Sequence, residues 1–480
     1  APGVARRRLV AVASVEQRPV NRLALARVWA RLSALIASAP IARRRRAPAG
    51  LWRHRDFLKL WVGDAVSVCG SQITPLALPL MAALALHATP GQMGLLRAAE
   101  YLPPLLVGPI AGVWVDRLRR RPILIWTDVA RAAVLLAVPV AAALGLLHLE
   151  LLYVVAATMA ILGTVFGIAA SAYLPSLVPG PSLMEANGKL TTTREVAYVA
   201  GPGLAGALVQ LLSAPVAVAV DGLTFLASAL GLAMIRLPEP APPPRAQRRP
   251  LSTEIGEGFR TTLREPILRA FLASSAAYDV CWNAVAVVSF LYVTRVLGLP
   301  PAAYGFIIGV GSVGSLLGAL VAHRLAQRLG LGPTIVGAQL MLGVGGLLLV
   351  LAVLLPARAF PFLIAAEVVQ LFMTSVYGVN RTSLEQAITP AGLRGRVRGT
   401  RAVIGAGAVA LGTLAGGLLG ERVGVEQTIV GGMCGTLAAF LWLWWSPIRT
   451  LRDLPRLEED GGGRRELLSG DGAAADGRAG

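Results

Sequence analysis

Twelve apolar stretches, each about twenty residues or more, divide this chain, and each is long enough to cross the hydrocarbon core of a bilayer. They run roughly over 58–83, 92–114, 122–146, 150–173, 191–212, 214–236, 268–296, 302–325, 333–356, 359–382, 400–421 and 425–447. Backbone inside lipid must satisfy its own hydrogen bonds, so only helices or closed barrels can span. Continuous apolar runs of this length predict helices, and the expected architecture is an all-α integral membrane protein with twelve transmembrane helices. Composition agrees. The chain is 55% hydrophobic and 15% charged, with mean hydropathy +0.64, where a soluble protein carries about 25% charged residues.

The net charge of +19 would suggest nucleic acid on a soluble chain. Here the Arg residues sit in short clusters between apolar runs and at the N-terminus, so no nucleic-acid partner is expected. Loops 115–121, 236–267, 324–332 and 383–399 are rich in Arg, whereas 84–91, 147–149, 213, 297–301, 357–358 and 422–424 hold very few. The positive-inside rule puts the first set in the cytoplasm, and an even number of spans puts both termini there too. The expected location is a bacterial cytoplasmic (inner) membrane, crossed many times. Trp442, Trp444 and Trp445 close the last span as an interfacial anchor. Cys69, Cys281 and Cys434 lie inside apolar runs and form no disulfide framework. His54, His87, His148 and His323 are scattered without metal-ligand spacing, so neither metal nor cofactor is expected.

The connections divide the chain further. Residues 1–56 form a basic cytoplasmic tail, in which Leu23 to Ile36 could instead lie on anionic lipid as an amphipathic helix. A first six-helix bundle covers 57–236. The linker 237–267 holds the proline run 238–244 and then a charged amphipathic stretch from Leu251 to Arg264. A second bundle covers 268–447, and a disordered cytoplasmic tail is expected over 448–480. The halves repeat weakly. Leu174-Pro175-Ser176-Leu177-Val178-Pro179-Gly180 after the fourth span answers Gln386-Ala387-Ile388-Thr389-Pro390 after the tenth, and both following spans are Gly-rich. Such repeats build many secondary transporters, with the substrate site between the halves near the midplane.

Between the second and third spans stands Gly112-x-x-x-Asp116-Arg117-x-x-Arg120-Arg121. It resembles, at every defining position, the signature loop of the major facilitator superfamily. Gly63-x-x-Val66-Ser67-x-x-Gly70, Asp128-x-x-Arg131, Leu177-Val178-Pro179 with Ala186-Asn187, Gly201-Pro202, Asp221 with Phe225, and Leu393-Arg394-Gly395-Arg396-Val397 further resemble the branch of enterobactin-type exporters and macrolide-efflux-like permeases. The resemblance implies two pseudo-symmetric six-helix bundles that rock in alternating access, often with proton exchange. It also implies that Asp116 lies near the start of the eleventh span, around Thr400, and holds that helix end when the cytoplasmic side is closed. Arg117, Arg120 and Arg121 would pair with nearby acids or lipid phosphates. The second-half counterpart, Gly318-Ala319-Leu320-Val321-Ala322-His323-Arg324, has no Asp. The fourth span has no Arg, and Gly201-Pro202 only partly matches the antiporter motif.

A charge within a span is costly and therefore a functional candidate. Asp279 lies eleven residues into the seventh span and Glu367 eight into the tenth, at middle depths by the rise of about 1.5 Å per residue. In the family fold the first, fourth, seventh and tenth helices line the cavity, so Asp279 and Glu367 lead as proton or substrate acids, with Glu100 third. Asn283, Tyr377 and Trp282 are candidates for the same wall. Asp64, Asp128, Arg131 and Asp221 are read as structural charges, with Asp128 and Arg131 pairing along one helix face. Gly309-x-Gly311-x-x-Gly314 lies mid-membrane with no strand before it, which favours close helix packing over dinucleotide binding.

The expected function is secondary transport of a small amphipathic molecule, drug- or siderophore-like, with protons and lipid as further partners and a monomer as the unit. Export by proton antiport is the leading form; an importer or a lysophospholipid flippase of the same fold is the alternative. A polytopic membrane transferase is the alternative of another class, but no polar catalytic cluster at one interface supports it. The chain is therefore not expected to be an enzyme.

Overall fold

A computed structural model describes residues 51–115, 117–239 and 251–454. The basic tail up to residue 50, most of the linker's proline run, Asp116 and the acidic tail from 455 lie outside the described residues. Twelve long helical segments follow one another. They are α1 (Arg55–Ala85), α2 (Pro90–Val115), α3 (Arg120–Ala143), α4 (Leu149–Leu177), α5 (Leu183–Leu212), α6 (Ala214–Ala233), α7 (Pro266–Val296), α8 (Pro301–Leu329), α9 (Leu331–Leu354), α10 (Ala359–Ile388), α11 (Arg394–Arg422) and α12 (Val425–Trp444). Eleven are long and apolar enough to cross a membrane, and α2 fills the place of the expected second span. The stretch Leu251–Arg264 is a further helix, the linker helix.

Several helices overrun the predicted spans. α5 starts at Leu183 rather than 191, α10 runs to Ile388 rather than 382, and α11 starts at Arg394 rather than 400. Hydrophobicity marks where a helix meets lipid, but the hydrogen-bond ladder continues into water through polar residues. α1 is interrupted at Ser71–Ile73, just before Thr74-Pro75 where proline can only begin a new helical turn. The tail is ordered further than expected. A 3₁₀ turn at Pro447–Thr450 buries Ile448, and the Leu451 and Arg452 carbonyls accept from the Gly332 and Leu331 amides at 2.8 and 2.9 Å. The expected disorder from 448 thus begins too early, because this strap satisfies amide donors at the start of α9.

The two halves pack alike. α1 packs on α5 and α6, α3 on α4 and α6, and α2 on α4; α7 packs on α11 and α12, α9 on α10 and α12, and α8 on α10. Every pair in the first bundle therefore has its counterpart six helices on. Glycine permits the closest of these approaches. A Cβ on Gly314 would stand 2.6 Å from the Val368 carbonyl oxygen, so Gly311 and Gly314 pack on α10, while Gly309 faces Val199 and Gly203 of α5.

Between bundles the contacts are α2 with α11 and α7, α5 with α8, and α1 with α7 through their final π turns. They gather at the Arg-poor end. Gly417 meets Pro90 and Gly91; Gly206 meets Pro301, whose carbonyl oxygen lies 2.6 Å from where its Cβ would be. The Arg295 guanidinium donates to the Ala83 carbonyl at 3.0 and 2.5 Å. Two helix starts are capped across the divide. Glu421 of α11 accepts from the Thr89 hydroxyl and from the Gly91 amide at the head of α2, the latter at 3.2 Å. Gln210 of α5 accepts from the Ala302 amide at the head of α8, also at 3.2 Å. At the Arg-rich end, a Cβ built on Gly112, Gly188, Gly395 or Gly399 would meet nothing within 4 Å among the described residues. Among the described residues, the contacts that join the bundles gather at the Arg-poor end.

Candidate functional site

A cavity of about 340 Å³ lies in the second bundle among α7, α9, α10 and α11. Asp279 and Ser275 reach it from α7, Tyr377 and Arg381 from α10, Arg401 from α11 and Gln339 from α9. Ser275 and Asp279 are four apart on one helix, as are Tyr377 and Arg381 on another, so each pair shares a face. A carboxylate just beyond the cavity orders its cations: Glu385 accepts from Arg381 at 2.8 Å and from Arg401 at 2.9 Å. Arg381 also donates to Ser275 at 2.5 Å and stands over the Phe271 and Tyr377 rings at 5.5 and 5.7 Å. Its guanidinium is thereby fixed in position between α7 and α10. Asp279 faces Gly405 of α11, and among the described residues its carboxylate makes no hydrogen bond. Among those residues it forms no ion pair within 4 Å, yet it lies within electrostatic reach of Arg381 and Arg401, the two arginines that share Glu385.

The other candidates distribute around this wall. Glu367 is half-buried against Gly311 of α8 and does not line the cavity. Tyr278 lies within electrostatic reach of both Asp279 and Glu367, donates to Gln370 at 3.2 Å and stacks on Trp282 with ring centroids 6.2 Å apart. Asn283 turns back to donate to the Asp279 carbonyl at 2.8 Å. Glu100 pairs with Arg97 on its own helix at 2.9 Å. Of the six candidates, the structure places Asp279 and Tyr377 in one cavity and the rest beside it or in the opposite bundle.

The charges read as structural are paired within the first bundle. Arg131 meets Asp128 at 3.4 Å and lies over the Phe166 and Phe225 rings. Asp64 of α1 pairs with Arg194 of α5 at 3.3 Å, a link between helices rather than an isolated packing acid. Asp221 accepts from the Thr74 hydroxyl. In the signature loop, Arg120 and Arg121 do not turn to Asp128. Their amides donate to Glu239 at 2.6 and 3.1 Å, and the Arg121 side chain donates to the Leu232 and Ala233 carbonyls. A carboxylate at the start of α3 is favoured by the helix dipole. Gly112 lies in the last turn of α2 with open space where a Cβ would stand, Arg117 is exposed, and Asp116 lies outside the described residues.

Arg381, Glu385, Arg401, Arg97 and Glu239 were not singled out from the sequence. Arg381 had a signal, a charge just inside the end of an apolar run. Glu385 had none, because it stands beyond its run; Arg401 stands at the very start of its own, and the two meet only when α10 and α11 pack. Among the described residues no group of three or more His, Cys, Asp or Glu could hold a metal ion.

The sequence model of the Major Facilitator Superfamily matches residues 60–397 and 278–469. The chain is 26% identical over 386 residues to the multidrug efflux pump Tap of Mycolicibacterium fortuitum, covering 78% of this chain and 92% of that one. It is 25% identical over 417 residues to macrolide efflux protein A of Streptococcus pyogenes, covering 84% and 98%. Its fold is similar to the crystal structure of a bacterial homologue of the iron transporter ferroportin in its inward-facing state, with TM-score 0.64, 18% identity, and coverage of 81% and 98%. Packing repeated six helices on and a sequence match over most of the length converge on one conclusion: this multi-pass membrane chain belongs to the major facilitator superfamily and is a transporter, not an enzyme.

Proposed function

We propose that the chain exports a small amphipathic, drug-like molecule across the bacterial cytoplasmic membrane by alternating access coupled to proton antiport, with both termini in the cytoplasm. The observation that carries this reading is Asp279, an unbonded carboxylate in a cavity whose arginines are held by Glu385. Such an acid can take either a proton or a basic group of the substrate, and exclusive occupancy is what antiport requires. Glu367, also within electrostatic reach of Tyr278, is the second candidate acid. The stacked Tyr278 and Trp282 suit the apolar body of an amphipathic ligand. With the Arg-rich end cytoplasmic, bundles joined at the Arg-poor end would present the cleft to the cytoplasm, the loading state of an exporter. Relatives named for multidrug and macrolide efflux support the direction.

The test is uptake into inverted membrane vesicles under an imposed pH gradient, with macrolides, siderophores and lysophospholipids as substrates. Gradient-driven uptake is expected, and Asp279→Asn is expected to abolish its dependence on the gradient. Transport that ignores both pH gradient and membrane potential would overturn antiport, and wild-type coupling in Asp279→Asn would remove that residue from the mechanism. In the same assay Asp116→Asn, at unchanged membrane abundance, is expected to slow transport if the signature loop latches the cytoplasmic side.

A further inference from the structure

A second hollow, of about 290 Å³, lies where α7 begins and α12 ends. Its floor is made by Ala270 and Ala273, small residues that leave the space unfilled. Trp442 and Trp445 form one side, 56% and 75% exposed, and Ser446 closes the end. Arg269 lines the other side; it is exposed, and among the described residues its guanidinium has no partner. Arg264 at the end of the linker helix and Arg449 after α12 are exposed nearby in the chain, and Arg449 stands 5.8 Å from the Trp444 ring.

These residues occupy the first two turns of α7 and the last turn of α12, so the hollow sits where both helices leave the apolar zone. That is the level at which indole rings settle between headgroup and acyl chain. A small apolar floor, outward indoles and an unengaged cation at this level describe a phosphate with hydrocarbon attached. Basic pockets between helices on the cytoplasmic side take anionic headgroups in this way. Glu265, four positions before Arg269, is not among the residues that line the hollow.

We propose that the hollow between α7 and α12 is a binding site for one anionic glycerophospholipid, its phosphate held by Arg269 and its upper acyl chain lying along Trp442 and Trp445. The site is separate from the transport cavity and stands whether or not the antiport reading holds.

The experiment is native mass spectrometry of the purified full-length chain titrated with phosphatidylglycerol or phosphatidylcholine, with melting temperature followed in parallel. The expected result is one tight phosphatidylglycerol adduct, preferred at least fivefold over phosphatidylcholine. Arg269→Gln should cut that preference at least threefold, Arg269→Lys should keep most of it, and Arg324→Gln, at the Arg-rich end of α8, should leave it unchanged. Equal binding of the two lipids, or an unaltered preference in Arg269→Gln, would overturn the proposal. Equal stabilisation by inorganic phosphate alone would also overturn it, by making the site one for a free anion.

Discussion

Arg131 shows how this membrane protein accommodates a full charge. It pairs with Asp128 three residues away and stacks between two phenylalanine rings, while Asp128 is wholly buried. Removing one partner of a buried pair leaves the other uncompensated and costs about 3–5 kcal/mol. Arg131→Leu is therefore expected to destabilise the first bundle by about that amount, and the double variant Asp128→Asn/Arg131→Leu should recover most of it; denaturant melting in detergent checks both. This pair was legible as a self-satisfying i, i+3 motif. The Asp64–Arg194 link was not, because its partners are separated by 130 positions and meet only when α1 packs on α5.

At the scale of the element, close helix approach rests on glycine. α8 presents Gly311, Gly314 and Gly318 to α10 along one stripe, and a side chain at Gly314 would press on the backbone of Val368 rather than on a movable side-chain tip. Gly314→Ala is expected to part the two helices and lower stability by about 1–3 kcal/mol, the usual cost of overpacking. Gly337→Ala on α9, where a Cβ meets nothing within 4 Å, should be neutral or slightly stabilising. Comparative melting of the two variants separates a packing role from a mere preference for alanine in helices. The sequence announced this stripe as helix packing, but which helix it faced depended on the order of the bundle.

Across the whole molecule, the two bundles are tied at the Arg-poor end by reciprocal caps, Glu421 on the start of α2 and Gln210 on the start of α8. α5 and α11 hold equivalent places in the repeat, as do α2 and α8, so the closure is itself pseudo-symmetric. Loss of a helix cap costs about 0.5–2 kcal/mol, and 1.4 kcal/mol is a tenfold change in an equilibrium constant. Glu421→Ala is expected to raise the population open at the Arg-poor end by about two- to thirtyfold. Spin labels on the heads of α2 and α11 would read it as a longer distance component, and an unchanged distribution would show that glycine contacts alone hold this end.

Sequence alone determined the fold class and the superfamily, and set the expected number and sidedness of the spans. Each follows from local properties, since hydrophobic length sets the spans, loop charge sets their sidedness, and one short motif carries the resemblance. Tertiary structure decided what the charges do. It made Glu385 the shared anchor of Arg381 and Arg401, set Asp279 in the cavity within electrostatic reach of both but hydrogen-bonded to neither, and set Glu367 against α8 outside it. The physical reason is that a helix fixes which residues share a face, whereas the rotation of that face toward a neighbour is settled by packing among all the helices at once.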